Sequence, residues 1–419
     1  MAQSTLSVIF LIFNCFLFIE SVPTTLETPV RYDGAQLWNV SLSDEQTRKI
    51  VFDLENEFDV SFWRTSNAAA DMFLKKSVIE SARQILNENN IEYSVRVEDM
   101  QKHIERESRQ PYRDGQQNYG LTWDAYYSLN DILLFLDNLV EKYPNLCSLE
   151  TIGYSHENRP LKVLKISNGK SGNKAIWIDG GIHAREWISP ASVTYIVNDL
   201  VENWNNQPAY IQNVNWYVLP VHNPDGYEYT RNTNRMWRKN RSKGSNSKCF
   251  GVDLNRNFGF KWGGKGVSHD SCSEIYAGSG PFSEPESTAV ADFFANNTEN
   301  FEAFLTFHSY GQWILYPWGY DNGIPTDDAE ELDLAGREAS ENMKALDGQV
   351  YTVGNSADLL YPAAGASDDY GKSIGIKYSY TIELRDTGRY GFILPPEFIL
   401  PTAKEAHTFV HTIARIVAK

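Results

Sequence analysis

The stretch Gly181-Ile182-His183-Ala184-Arg185-Glu186-Trp187 limits most strongly what this chain can fold into, together with two segments much further along, Phe307-His308-Ser309-Tyr310 and Ile382-Glu383-Leu384-Arg385-Asp386. His183 and Glu186 are three residues apart. A ligand pair at that spacing, joined by one distant imidazole, makes a His₂Glu set, which leaves one position open on a tetrahedral zinc ion. A water in that position has its pKa lowered towards ~7, and a lone carboxylate such as Glu383 can act as its base. The pattern implies a zinc hydrolase with one Zn²⁺ per chain. It also requires a fold that brings three distant segments to one point.

With 419 residues the chain is longer than one domain usually needs, and its pattern changes character along its length. From residue 121 onward, helix and strand signals alternate. A helix is predicted over 129–142, strands over 161–166 and 174–179, a helix over 191–204 and a buried strand over 214–221. Such alternation predicts an α/β fold with a central mixed, largely parallel twisted sheet flanked by helices. His183 follows the 174–179 strand by a Gly180-Gly181 turn. That is the carboxyl end of a strand, where open α/β sheets place their sites. Residues 30–100 read as strand (34–41), helix (ending at 57, with Ser43 as its cap), strand (59–63), helix (76–87) and strand (91–97). This order predicts a small α+β unit of the ferredoxin-like split βαβ kind. Residues 100–114 form a charged, helix-prone connector carrying Arg106, Arg109 and Arg113. A solvated linker between two domains is a natural site for trypsin-like cleavage.

The apolar run from Ser4 to Phe18 is short for a membrane span and ends before Glu20, with Ser21 offering a signal-peptidase site. Residues 1–21 are therefore expected to be a signal peptide and the protein to be secreted and extracellular. No other stretch is long and apolar enough to span a bilayer, so no stable membrane association is expected. Cys249 and Cys272 share one Gly/Ser-rich loop region and are the expected disulfide, leaving Cys147 as a buried thiol. Glycosylation sequons begin at Asn39, Asn240 and Asn296. The net charge of −16 argues against nucleic acid as a partner and is compatible with cationic substrates.

Seven blocks, GGIHAREW, LPVHNPDGY, RMWRKNR, GVDLNRNF, FLTFHSYGQWILYPWGY, LLYPAAGASDDY and KYSYTIELRDTGRYGF, occur in that order. In them the chain resembles the zinc metallocarboxypeptidases of the digestive A/B type, which are made as secreted zymogens. The resemblance covers essentially the whole chain. It implies a signal peptide (1–21), an activation prosegment with its helical connector (22–113) and a catalytic domain (114–419). It also implies that His183, Glu186 and His308 are the metal ligands, carboxypeptidase A being itself a standard example of a His₂Glu zinc enzyme. Glu383 matches the general base, and Arg238 the arginine that stabilises the oxyanion. Asp253 matches the carboxylate that accepts the second ring N–H of the first histidine. Asn255 and Arg256 match the pair that binds the substrate's C-terminal carboxylate, for which an Arg fork is well shaped. Tyr361 matches the tyrosine that folds over the substrate. Arg185, Ser309, Tyr310 and Phe392 match residues that bind the substrate further out. His222 is expected to be a packing residue. Three non-proline cis peptides are expected, at Ser309–Tyr310, Pro317–Trp318 and Arg385–Asp386.

By the same resemblance the prosegment covers the cleft as a folded lid. A trypsin-like protease releases it by cutting after Arg113, with Arg109 and Arg106 behind it. From its position in the chain alone, Asp71 is expected to reach towards Arg256. The expected partners are the C-termini of peptides or proteins, and the expected state is a monomer. At the position that selects the side chain removed, the chain carries Asp368, which implies C-terminal Lys or Arg; the alternative is an A-type or mixed preference. A catalytically inactive peptide-binding relative is the reading from another class. Asp369 belongs to the framework of both groups. Ala366 stands where glycine is usual and narrows the pocket, Gly319 stands where basic-specific members often carry serine, and Ser356 keeps the wall small.

Overall fold

The computed structural model describes residues 28–66, 68–108, 120–244 and 248–419. The expected signal peptide, Arg109 and Arg113 lie outside these residues. The N-terminal unit runs β1 (Gln36–Ser41), a helix (Glu45–Glu57), β2 (Val60–Thr65), β3 (Ala69–Leu74), a helix (Ile79–Glu88) and β4 (Tyr93–Val97). Its strands form one antiparallel sheet in the order β2-β3-β1-β4. Trp38, Val40, Met72 and Leu74 from the sheet pack on Val51 and Leu54 of the first helix and Ala82 and Leu86 of the second. The expected split βαβ unit is therefore present, with one strand more than the sequence pattern suggested. That strand, β3, is hidden in Ala69-Ala70-Asp71-Met72-Phe73-Leu74, because a small, partly charged start gives no alternation to read. The cap of the first helix is Asp44 rather than Ser43. The Asp44 carboxylate accepts the Thr47 N–H at 2.8 Å, and the Ser43 hydroxyl donates to Asp44 at 2.9 Å. The second helix begins three residues later than expected, after a 3₁₀ turn over Lys76–Val78.

The C-terminal unit is built on eight strands: β5 (Cys147–Tyr154), β6 (Pro160–Ile166), β7 (Lys174–Gly180), β8 (Val214–Leu219), β9 (Phe301–Ser309), β10 (Trp313–Tyr316), β11 (Thr352–Asn355) and β12 (Tyr378–Leu384). They lie in the order β11-β10-β12-β9-β7-β8-β6-β5. The central four, β12, β9, β7 and β8, are mutually parallel, and β5, β6 and β10 pair antiparallel at the flanks. Both faces of the centre are buried, and β7 and β8 accordingly carry near-continuous apolar runs, whereas β12 (Tyr-Ser-Tyr-Thr-Ile-Glu-Leu) alternates. Along β7, Ile176 and Ile178 face a core that includes Val193, Ile196, Phe409 and Val410. Ala175 and Trp177 face the opposite core, with Val290, Phe293 and Phe304. The flanking helices include Leu129–Lys142, Ile188–Glu202, Pro285–Asn296, Ala329–Asp347 and Ile399–Val417. The first of them opens with a capping box between Ser128 and Asp131. No helix of the described residues is long and apolar enough to cross a membrane.

Cys249 and Cys272 are bonded, with Cα atoms 5.0 Å apart, and Cys147 is a buried free thiol. The three expected cis peptides are all present. Of the three sequon asparagines, Asn39 is half-buried and Asn240 is buried. The Asn39 amide donates to Asp71 at 2.7 Å, and the buried Asn240 amide donates to Glu284 and Glu286 at 2.7 and 3.1 Å. Asn296 is exposed at the end of its helix.

The two units share an interface. Leu37, Phe73, Val97 and Met100 of the N-terminal unit form one apolar cluster with Met236, Tyr310, Phe392 and Ile393. The start of the connector is a helix over Met100–Glu107, and it is not simply solvated as expected. Glu107 is buried and accepts two hydrogen bonds from Arg235, at 2.6 and 2.8 Å. Arg235 also donates to the carbonyls of Arg185 and Phe392 at 2.7 and 2.9 Å, and its guanidinium lies 3.8 Å from the centre of the Trp187 ring. Arg106, by contrast, forms a half-exposed pair with Glu397. Removing one partner of a buried ion pair costs about 3–5 kcal/mol, because the other charge stays behind without its counterion. Glu107→Ala should therefore lower stability by about 3 kcal/mol and speed hydrogen exchange across residues 100–107. Denaturant unfolding and exchange mass spectrometry measure both, and a variant with wild-type values in both would show that the pair does not anchor the connector.

Candidate metal centre and substrate cleft

β7 ends at Gly180, and the chain must turn at once to reach His183. A Cβ on Gly180 would lie 2.7 Å from the Ser189 hydroxyl, and one on Gly181, where φ is +66°, would lie 2.9 Å from Pro190. The turn therefore needs both glycines. It places His183 and Glu186 just ahead of the Ile188–Glu202 helix. His308 comes from β9, where the parallel register sets it directly beside Glu383 on β12. His183 Nδ1 lies 2.9 Å from Glu186 Oε1 and 3.2 Å from His308 Nδ1, and His308 Nδ1 lies 3.3 Å from Glu186 Oε2. All three side chains are buried.

The other ring nitrogens are occupied from behind. His183 Nε2 faces Asp253 Oδ1 at 3.2 Å. His308 Nε2 faces the Thr306 hydroxyl at 3.3 Å, and that hydroxyl donates to Asp179 at 2.6 Å. With each Nε2–H donated rearward, both Nδ1 lone pairs and the Glu186 carboxylate converge on one point. Such a donor set fits a zinc ion. The sequence reading placed Asp253 but missed Thr306 and Asp179. Their only trace in the sequence is that Thr306 lies two residues before His308, on the same face of the strand.

The electrostatics agree with this geometry. Burial opposes ionisation of Glu186, yet His183 and His308 hold its carboxylate well below the ordinary range. Burial lowers His183 and keeps the ring neutral. Burial also works against a charge on His308, but Glu186 and Glu383 push it up to about 9, so a metal binding there displaces a proton. Asp253 stays ionised against its burial because Arg238 and His183 flank it. One of its oxygens faces His183, and the other accepts from Arg238 Nε and a terminal nitrogen at 3.0 and 2.9 Å. Burial pushes Glu383 up to about 8, with His308 pulling it down, and its Oε2 is buried without a hydrogen-bond partner. A divalent cation in the ring would lower it further. Arg385 does not pair with Glu383; it is bonded instead to Glu405 and Asp347.

One cleft joins these groups to most of the expected substrate residues. His183, Glu186, His308, Glu383 and Arg238 line it, and so do Asn255, Arg256, Ser309, Tyr310, Tyr361, Asp368 and Phe392. Arg256 is held in place by the Gly266 and Asn255 carbonyls at 2.9 and 2.8 Å. Asn255 is fixed by accepting the Ser367 N–H at 2.9 Å. Tyr361 stands exposed at the rim. Asp368 lies buried in the first turn of the Ser367–Ser373 helix, with Ser356, Ala366 and Gly319 beside it in the cleft wall. A Cβ on Gly319 would come within 3.2 Å of Ser356, so the missing side chain keeps that wall open. Burial raises Asp368 above the usual carboxylate range. Asp369 is raised well above it by burial and by Asp368, although it accepts the Gly319 N–H at 2.7 Å. Arg185 stacks over Phe392 at 4.3 Å beside the cleft. His222 packs edge-on against Phe258, as a packing residue should.

The N-terminal unit reaches this cleft differently from the expectation. Asp71 does not approach Arg256. The β1–β3 register sets it opposite Asn39, and its carboxylate accepts from Asn39 at 2.7 Å and from the Tyr310 hydroxyl at 3.0 Å. The residues of this unit in the cleft lining are Trp63 and Arg64. Trp63 packs on Phe392 with ring centres 4.9 Å apart, and Arg64 lies over Trp313 and donates to the Thr387 carbonyl at 3.0 Å.

Comparison with known proteins gives the same picture. Residues 132–409 match the zinc carboxypeptidase family, and residues 38–107 match the carboxypeptidase activation peptide. The chain is 46% identical over 299 residues to carboxypeptidase B of Astacus astacus, covering 71% of this chain and 98% of that protein. It is 40% identical over 391 residues to carboxypeptidase A2 of Mus musculus, covering 91% of this chain and 93% of that one. The crystal structure of thrombin activatable fibrinolysis inhibitor superposes with a TM-score of 0.85 at 37% identity, over 92% of this chain and 99% of its own. The chain belongs to the zinc carboxypeptidase family and, with an activation peptide ahead of its catalytic domain, is the zymogen of an A/B-type enzyme.

Proposed function

We propose that the activated enzyme removes C-terminal Lys and Arg from peptides and proteins. The observation that carries this reading is Asp368, a buried carboxylate in the cleft wall whose nearest ionisable neighbour in sequence is another carboxylate, Asp369. Burying a charge without a counterion is costly, and a cationic side chain of the substrate would supply one. In this reading Arg256 and Asn255 hold the terminal carboxylate, and Tyr361 closes over it from the rim. His183 Nδ1, Glu186 and His308 Nδ1 would hold the zinc, which would supply a Lewis acid for the scissile carbonyl and a lowered pKa for the attacking water. Glu383 takes the proton from that water and passes it to the leaving amine. Arg238, its plane fixed by Asp253, faces the charge that develops on the carbonyl oxygen.

Trp63, Arg64 and the Asp71–Tyr310 contact support a prosegment that covers the cleft until the connector is cut. We assign residues 22–113 to that prosegment and 114–419 to the catalytic domain. The cut falls after Arg113, with Arg109 and Arg106 as alternatives, and N-terminal sequencing of the activated chain checks it. The same reading makes the protein a secreted monomer whose signal peptide is residues 1–21. One observation favours a broader preference: burial pushes Asp368 towards its neutral form, which would admit uncharged side chains.

Metal binding and proton transfer should separate by mutation. Glu383→Gln should keep its zinc and lose about 10²–10⁴-fold in kcat, because it removes only the proton acceptor. His183→Ala should lose the zinc of the cleft together with turnover. Metal analysis with steady-state kinetics on the activated enzyme decides this, and near-native kcat in Glu383→Gln would end the general-base role.

Specificity should switch at one residue. Truncating one partner of a buried charge pair costs about 2–5 kcal/mol, so Asp368→Ala should cut kcat/KM for C-terminal Arg by roughly thirty-fold to several thousand-fold. The same change should improve C-terminal Leu or Phe, since it removes a desolvated charge from their path. Equal losses on Arg and Phe substrates would make Asp368 structural and remove the basic preference.

A further inference from the structure

We propose that the chain carries a second metal site, outside the cleft, in which His407, His411 and Asp199 hold a zinc ion between two helices. His407-Thr408-Phe409-Val410-His411 puts two imidazoles at i and i+4 on the Ile399–Val417 helix, so they project from one face a turn apart. Their ring centres are 4.1 Å apart. The Ile188–Glu202 helix packs alongside and presents Asp199 to them. One potential ligand atom from each of the three residues lies within 4.8 Å of the other two. Among the described residues the only other such trio is His183, Glu186 and His308, which has the same two imidazoles and one carboxylate.

The surroundings of the three side chains suit a cation. Asp199 Oδ2 lies 2.7 Å from His407 Nε2 and accepts from Gln207 at 2.8 Å, while Oδ1 accepts from Asn203 at 2.7 Å. The carboxylate is thus oriented from behind, as ligand carboxylates usually are. His411 Nε2 is buried and has no hydrogen-bond partner, so it is open to an ion as a ligand. A cavity bordered by Tyr210, Asn342, Thr408 and Thr412 opens beside the histidines and leaves room for water as a further ligand. Arg415 also borders it, and its charge is balanced by Glu338. The side chains of His407 and Asp199 are each 21% exposed, so an ion can enter from solvent.

Binding would replace the His407–Asp199 hydrogen bond. The His407 ring then carries its proton on Nδ1 and offers Nε2 to the metal. The two ligand atoms spread from 2.7 Å to the ~3.3 Å edge of a tetrahedron with zinc–ligand bonds of about 2.0–2.1 Å. Imidazole with carboxylate suits zinc rather than calcium or magnesium. The ion would tie the C-terminal helix to the helix that begins two residues after Glu186.

Zinc analysis of the full-length chain after equilibrium dialysis tests this directly. The wild type should bind two zinc ions per chain, and His183→Ala should keep one. His407→Gln and His411→Gln should each also keep one, with wild-type peptidase activity after activation. In the wild type, zinc should protect both His407 and His411 from carbethoxylation, as read by peptide mass mapping, which needs no variant to fold. A single zinc per wild-type chain, a second zinc that survives both glutamine substitutions, or the absence of protection would each overturn the proposal. The His407–Asp199 pair would then be only a hydrogen-bonded clasp between the helices.

Discussion

The parallel pairing of β9 with β12 and with β7 is the constraint on which the rest of the structure depends. It sets His308 beside Glu383 and brings the end of β7 level with Phe307, one residue short of His308. The two glycines after β7 then need only a tight turn to deliver His183 and Glu186 to the same point. A slip of one residue in either register would turn a functional side chain to the opposite face of the sheet. The large apolar cores on both faces hold that register. The burial of residues as far away as Trp177 and Phe409 thus fixes distances of about 3 Å at the carboxyl edge.

The carboxyl edge also gathers several of the fold's buried carboxylates: Glu186, Asp253, Glu383, Asp368 and Asp369. Arg238 compensates Asp253, and His183 and His308 compensate Glu186. Glu383 and Asp368 are left without a fixed cation of their own. Both are pushed above the usual carboxylate range by burial, and in the proposed mechanism both meet a positive or proton-bearing partner only during the reaction. The site therefore stores unfavourable desolvation that substrate and metal relieve. In the zymogen, the apolar interface and the Glu107–Arg235 pair hold the N-terminal unit over this edge.

Much of this was legible in the sequence, for identifiable reasons. The three ligands and Glu383 stand out because their chemistry needs particular residue types. The sheet and its flanking helices show in the alternation of apolar runs. The disulfide followed from two cysteines in one Gly/Ser-rich loop region of a chain expected to be secreted, whereas the cis peptides and Asp253 came from resemblance to the family. What stayed hidden depends on contacts across long stretches of sequence. β3 carries Asp71 in mid-strand, and Asn39, Tyr310 and the facing Arg64 make that position tolerable. The Thr306–Asp179 support of His308 and the anchoring of Glu107 by Arg235 join residues with no local pattern between them. Asp71 was expected at Arg256 because position in the chain was the only guide, and the strand register sends it elsewhere.

The central claim is that a covered zinc peptidase site becomes, on loss of the N-terminal unit, an exopeptidase selective for basic C-termini. The most direct test is a cleavage profile on matched peptides ending in Arg, Lys, Phe and Leu, taken before and after trypsin treatment. The account predicts little turnover before treatment, and afterwards release of single C-terminal residues with Arg and Lys strongly preferred. Equal rates before and after treatment, or a preference for Phe and Leu, would contradict it.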